Sequence, residues 1–217
     1  MKIKNIIFRI LFYVAGLMIL AFGVAFSVNS NLGVSPINSL PYVISLITNI
    51  ELGACVVGVF SVYILAQIIV LRKEFKWINL TQILFSTLFG YFVNFAKTVL
   101  GDFTIPTYAG KLVMLAISIA LVAVGISVYV DTNIVNMPME GMTAAIASKL
   151  QGKTFHQVKI FLDCTVVIIA ALLSLVFLHE LNGVREGTVI CALLVGQLMR
   201  PLQKIINPIV NKFCFEK

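Results

Sequence analysis

A lysine and an aspartate stand four residues apart inside a long apolar stretch of the sequence. Lys159 and Asp163 lie in KIFLDCTVVIIAALL, and this spacing places both side chains on one face of a helix. Charged groups inside an apolar helix are costly unless they are paired, so we expect the two to neutralise each other. The pair could couple solute movement to proton movement, or it could be structural and lock its helix to a neighbour.

Amide, hydroxyl and carboxyl groups gather around two polar breaks in the chain. The first reads NSNLGVSPINSLPYVISL from Asn29, and the second reads DTNIVNMPMEGMTAAIASKL from Asp131. Such side chains could bind a polar solute, or they could satisfy backbone groups that the breaks leave free. A carboxylate in the first turn of a helix is also favoured by the helix dipole alone. The predicted solute-binding residues are Asn31, Ser35, Asn38, Asn133, Asn136 and Glu140.

The two breaks are copies of one arrangement, separated by 102 residues. Asn133 corresponds to Asn31, and Pro138 corresponds to Pro36. Each break follows a long apolar helix, and each proline, with its fixed φ and missing N–H, predicts the start of a new helix. In a membrane such breaks are tolerated where they are buried in protein or line a cavity. The short helices are therefore candidates for a binding site.

The composition indicates a polytopic membrane protein. The chain is 60% hydrophobic and 12% charged, with a mean hydropathy of +1.03, and a soluble domain carries more charge. The net charge of +7 reflects basic residues at the ends of spans and does not indicate nucleic-acid binding. The 4 cysteines are scattered, and no metal, nucleotide or catalytic-triad motif is found, so we expect neither a cofactor nor an enzyme.

Six apolar spans are predicted, at about residues 8–28, 53–71, 78–99, 111–130, 155–178 and 187–202. The last span would run further if Pro201 kinks the helix without ending it. They form a single all-α membrane domain over residues 1–217, with repeat one at about 1–100 and repeat two at about 101–217. Lysine and arginine concentrate at both termini, at Arg72–Lys76 and at Lys149–Lys153. The positive-inside rule then predicts that the N-terminus and the C-terminus are both cytoplasmic.

Each repeat contains three spans and one short helix. Because three is odd, the second copy must enter the membrane from the opposite side, which predicts an inverted-topology repeat. The two short helices would then re-enter the membrane from opposite sides and meet at one cavity. The alternative is a pair of amphipathic helices on opposite membrane surfaces. The segment VSPINSLPYVISLI carries no charge, which favours re-entry because surface helices usually have a charged face.

Several short motifs resemble a known family. They are Leu32-Gly33-Val34-Ser35-Pro36 after the first span, Pro138-x-Glu140-Gly141, Lys159-x-x-x-Asp163 and Arg185-Glu186-Gly187-Thr188. In this order and spacing they resemble the YitT/YczE-type bacterial integral membrane family over nearly the whole chain. The second copy departs from the family pattern, with Val135-Asn136-Met137 where Leu-Gly more usually precedes the proline. The resemblance implies a bacterial cytoplasmic-membrane protein with a transport role.

The leading prediction is a small secondary transporter for a small polar or anionic solute, bound between the two breaks. The helix N-termini there offer N–H groups and partial positive charge. One alternative is a substrate-capture subunit of an ATP-driven vitamin importer, docking through the small residues Ala21 and Ala25, although the inverted repeat argues against it. Another is a non-transporting membrane interaction or chaperone protein. The expected partners are the lipid bilayer and the solute, and a homo-oligomer is left open.

Overall fold

The computed structural model describes residues 3–150 and 152–215. For residues 3, 4, 156 and 200 it describes the backbone but not the side chain. Lys2 and Lys217, which enter the charge argument for topology, lie outside that range. Within it the chain forms eight α-helices and, between α3 and α4, the 3₁₀ turns Arg72–Glu74 and Trp77–Leu80. The helices are α1 (Ile3–Ser30), α2 (Pro36–Thr48), α3 (Leu52–Leu71), α4 (Thr81–Leu100), α5 (Tyr108–Asp131), α6 (Pro138–Lys149), α7 (Phe155–Leu178) and α8 (Glu186–Cys214).

The helix lengths and compositions confirm an all-α, multi-pass membrane protein. Five helices are long and apolar enough to cross a bilayer, and a sixth span is added if the bent α8 is counted as one. The sequence predicts that the sixth span ends near residue 202, or continues if Pro201 only kinks the helix; α8 does continue, to Cys214, and bends by 49° between Met199 and Pro201. Proline lacks the N–H for the helix ladder, so it kinks the helix here without ending it.

α1 and α5 pack against each other through glycines. A Cβ atom on Gly125 would lie 2.7 Å from the Leu20 nitrogen, and one on Gly16 would lie 2.8 Å from the Tyr129 nitrogen. The Ser118 hydroxyl adds a hydrogen bond of 2.7 Å to the carbonyl oxygen of Gly23. Small residues at a helix interface let two backbones approach closely and gain dispersion contacts. These two helices therefore form the closely packed centre of the fold.

The small residues of α1 are covered by the chain itself. Ala21 and Ala25 are completely buried, within the core cluster that also contains residues of α3, α4 and α5. Their burial agrees with a role in close helix packing and excludes the docking face that the importer-subunit alternative required. Residues that are small enough for docking are equally suited to internal packing, and the sequence of one helix does not distinguish the two uses.

The short helices α2 and α6 are held by the helices of both halves of the chain. α2 packs against α3 and α7, and α6 packs against the same two helices. Their first turns are buried, with Pro36 and Asn38 on α2 and Pro138 and Glu140 on α6. The two breaks are therefore enclosed by protein at the points where the new helices begin.

The last two helices of each half pack differently. α3 and α4 are in close contact, and a Cβ on Gly53 would lie 2.1 Å from the carbonyl oxygen of Gly90. α7 and α8 make few contacts with each other. The space between α7 and α8 is part of the cavity described next.

Candidate binding cavity

A cavity of about 470 Å³ lies among α2, α6, α7 and α8, with α1, α3, α4 and α5 closing its inner wall. This volume falls in the range of small-molecule sites, about 300–1,000 Å³. Its inner wall is apolar and includes Leu20, Phe60, Phe89, Val122 and Ile126. Its polar lining includes Ser35, Asn38, Asn136, Glu140, Lys159 and Asp163.

The first break contributes a buried amide to this cavity. Ser35 precedes α2 as its N-cap and Pro36 takes the first helical position, as the sequence predicts. The Ser35 side chain does not cap the backbone; its hydroxyl oxygen accepts a hydrogen bond of 3.0 Å from the Asn38 amide nitrogen. Asn38 is 3% exposed, and its amide oxygen has no hydrogen-bond partner among the described residues. Asn38 thus presents a desolvated acceptor.

The second break contributes a buried carboxyl group. Met137 is the N-cap of α6 and Pro138 is its first residue. Glu140 is 8% exposed, and within the described chain its Oε2 atom has no hydrogen-bond partner. The Tyr129 hydroxyl lies close enough to interact with this carboxyl group. Asn38 and Glu140 each stand two residues after their proline, so both breaks place an acceptor oxygen at the same position of a short helix.

The predicted ion pair is present in the structure and belongs to the cavity wall. The Lys159 ammonium donates to both carboxylate oxygens of Asp163, at 2.8 and 3.0 Å. Their side chains are 23% and 13% exposed. Lys159 is the one cationic side chain among the described residues that line the cavity. Because Asp163 neutralises it, the wall offers no free positive side chain in the described part of the chain.

Asn31 and Asn133 lie at the outer edges of the breaks and do not line the cavity. Both are exposed, and both adopt the left-handed conformation, with φ of 55° and 52°, a region that asparagine tolerates better than most residues. The Asn31 carbonyl accepts a hydrogen bond of 3.0 Å from Arg185, and the Asn133 carbonyl accepts one of 2.6 Å from Arg9. The structure therefore gives both asparagines a backbone role in turning the chain.

Of the six residues predicted to bind solute, Ser35, Asn38, Asn136 and Glu140 come together in the lining. Asn136 is also exposed, so the cavity is open near the second break. It is open between α7 and α8 as well, because Phe155, Ile160 and Ala192 line it and are exposed. If the bent α8 crosses the bilayer as one span, this opening between α7 and α8 faces lipid.

Several residues that support the site were not selected from the sequence as site residues. The Gln67 amide nitrogen donates to Gln82 at 2.9 Å and to the Pro138 carbonyl at 3.1 Å, which fixes the start of α6 against α3 and α4. A glutamine in the apolar helix α3 is a signal that could have been noticed, since polar groups in spans tend to bond between helices. Arg9 and Arg185 carried no such signal, because each stands at the end of a span.

No group of three or more His, Cys, Asp or Glu side chains that could hold a metal ion is found in the described part of the chain. The described residues of the cavity offer two acceptor oxygens without a partner among them, a neutralised ion pair and an apolar wall. This chemistry suits the binding of a small solute that carries hydrogen-bond donors.

Comparison with known proteins places the chain in a family of membrane proteins. Residues 7–204 match a family of unknown function, DUF6198, and the chain belongs to this family. One relative is the uncharacterized membrane protein YczE of Bacillus subtilis (strain 168), 28% identical over 201 residues, which cover 91% of this chain and 86% of that protein. The resemblance to the YczE-type family is therefore confirmed. No solved structure gives a significant match.

Proposed function

We propose that this protein is a small secondary transporter for a small polar solute, which it binds in the cavity between the two breaks. The observation that carries the proposal is a pair of buried oxygens, on Asn38 and Glu140, that have no hydrogen-bond partner among the described residues. They come from two short helices far apart in the sequence, yet both line one cavity of about 470 Å³. Buried polar atoms without partners are rare in native proteins and call for an explanation, and a bound solute would supply one.

The proposal includes an inverted repeat in a bacterial cytoplasmic membrane, with both termini cytoplasmic. Support comes from the matched conformations of Asn31 and Asn133, the matched prolines after them, and the matched packing of α2 and α6 against α3 and α7. In transporters built from inverted repeats, the site lies near the midplane at discontinuous helices. On this view α2 and α6 are re-entrant helices, and each break faces one side of the membrane.

Two arginine contacts are candidates for the gates of such a transporter. At the first break Arg185 bonds the carbonyl of Asn31, and the Gly187 nitrogen bonds that of Leu32 at 2.8 Å. At the second break Arg9 bonds the carbonyls of Thr132 and Asn133 at 2.9 and 2.6 Å. Each set ties a break to a helix distant in sequence. Alternating access requires that one set separates while the other stays closed.

Accessibility of the cavity from the two membrane sides tests this proposal without knowledge of the solute. Asn38→Cys is made in a variant whose four native cysteines are alanine, and vesicles of known orientation are treated with a small, membrane-impermeant thiol reagent. A transporter exposes its site alternately to each side, so position 38 is expected to react from both faces.

Lys153→Cys and Lys111→Cys serve as the controls, and each is expected to react from one face only, the first from the cytoplasm and the second from outside. If position 38 reacts from a single face or from neither, while both controls react as expected, the cavity does not alternate and the transporter proposal fails. The interaction-protein alternative would then explain the breaks better.

A further inference from the structure

We infer that the cavity binds an organic cation, a small molecule with a protonated amine and an apolar body, rather than an anion. This inference rests on the proposed binding role of the cavity and narrows the polar or anionic solute that the sequence suggests. It depends on three features of the wall: its charge, its unpartnered atoms and its apolar surface.

The charge balance of the described lining residues disfavours an anion. Lys159 is held by both oxygens of Asp163, so the pair as a whole carries no net charge. Glu140 is the remaining acidic group in the lining, and no described basic side chain forms an ion pair with it. When Glu140 is ionised the wall carries one net negative charge. A like-charged solute would be repelled there, while an ammonium group would be paired.

The helix N-termini do not reverse this balance. A helix N-terminus carries about half a positive charge. The first turn of α6 already contains the carboxyl group of Glu140, which takes the position that an anionic ligand would occupy. At α2 the unpartnered atom is the amide oxygen of Asn38, which can only accept a hydrogen bond. The unpartnered atoms at both short helices therefore need hydrogen-bond donors, and an ammonium group carries up to three N–H donors.

The rest of the cavity fits an apolar body. Phe60 and Phe89 line it and stack with ring centroids 6.2 Å apart and planes within 5°. Leu20, Val122 and Ile126 extend this surface. Aromatic faces also attract cations electrostatically. The opening between α7 and α8 would give such an amphiphile a route from the lipid, where amines with apolar bodies accumulate.

The test compares four probes of similar shape and different charge: benzylammonium, benzyltrimethylammonium, benzyl alcohol and benzoate. Each is titrated at millimolar concentration into the purified full-length protein in detergent, and the rise in melting temperature gives its affinity, since a ligand of the folded state stabilises it by mass action. Benzylammonium is expected to bind most tightly, because it combines charge with N–H donors. Benzyltrimethylammonium should bind more weakly, and benzoate should give no shift.

Glu140→Gln keeps the shape of the side chain and removes its charge. It should raise the dissociation constant of benzylammonium by about tenfold or more, which is the effect expected when a hydrogen bond to a charged group is lost. Glu180→Gln removes a carboxylate from an exposed loop and should change nothing. If Glu140→Gln does not fold, Asn38→Asp is tested in its place. This change adds a second carboxylate to the cavity and should raise the ratio of benzylammonium affinity to benzyl alcohol affinity.

Tighter binding of benzoate than of benzylammonium would overturn the inference, as would the absence of any shift with both ammonium probes. An unchanged affinity in Glu140→Gln would also overturn it. These outcomes concern binding alone. They are therefore distinct from failure of the two-sided labelling test, which would leave a cation-binding cavity that does not transport.

Discussion

The Lys159–Asp163 pair allows a quantitative test of how far the wall of the cavity is shielded from water. Asp163→Asn leaves the Lys159 ammonium without the two bonds of 2.8 and 3.0 Å that it makes. Removing one partner of a fully buried pair costs about 3–5 kcal/mol, whereas an exposed pair contributes about 0–1 kcal/mol. Because the two side chains are 23% and 13% exposed, we expect the change to lower the free energy of unfolding by about 2–3 kcal/mol.

A double-mutant cycle separates the interaction from the effect of each side chain. Lys159→Met combined with Asp163→Asn should cost less than Asp163→Asn alone, because no unpaired ammonium remains. The free energy of unfolding is measured by denaturant titration in mixed micelles. The matched control is Lys149–Glu74, which has a short contact of 2.6 Å but side chains 39% and 67% exposed. Its coupling energy should not exceed about 1 kcal/mol.

Additive losses at Lys159 and Asp163 would contradict the structure, because residues that interact are expected to couple by about 0.5–3 kcal/mol. A coupling energy equal to that of the control pair would mean that water reaches both side chains freely. In that case the cavity would not provide the low-dielectric wall on which its preference for a paired charge depends.

Further predictions concern topology, packing and the first break. A cysteine at position 73 should be labelled from the cytoplasmic face only, because Lys73 belongs to the basic hinge between α3 and α4; labelling from outside intact cells would contradict the orientation. Gly125→Val should destabilise by about 1–3 kcal/mol or more, because its side chain meets the α1 backbone, while Gly58→Val, with no atom within 4 Å of the added Cβ, should be nearly neutral. Arg185→Met should speed amide hydrogen exchange in the first break by freeing the Asn31 carbonyl; unchanged exchange would show that this contact does not close the break.

Much of the fold follows from properties that neighbouring residues carry by themselves. The first five predicted spans agree with α1, α3, α4, α5 and α7 because a bilayer-length run of apolar residues is a local property of the sequence. Pro36 and Pro138 start α2 and α6 as predicted, since the fixed φ and missing N–H act on the residue itself. The Lys159–Asp163 pair was predictable in the same way, because four residues is one helical turn.

The contents of the cavity were decided by contacts between residues far apart in the chain. The sequence indicated that Asn31, Asn38, Asn133 and Glu140 belong near the breaks, but whether a side chain faces a cavity or the exterior depends on which helix lies against it. α2 and α6 pack against α3 and α7, and Asn38 and Glu140 then face the cavity. Arg185 donates to the carbonyl of Asn31, 154 residues away, and Arg9 donates to that of Asn133, 124 residues away. The gap between α7 and α8 likewise depends on tertiary packing, because these two helices make few contacts with each other. Helix periodicity does not specify neighbours, so these features arise only when the whole chain is packed.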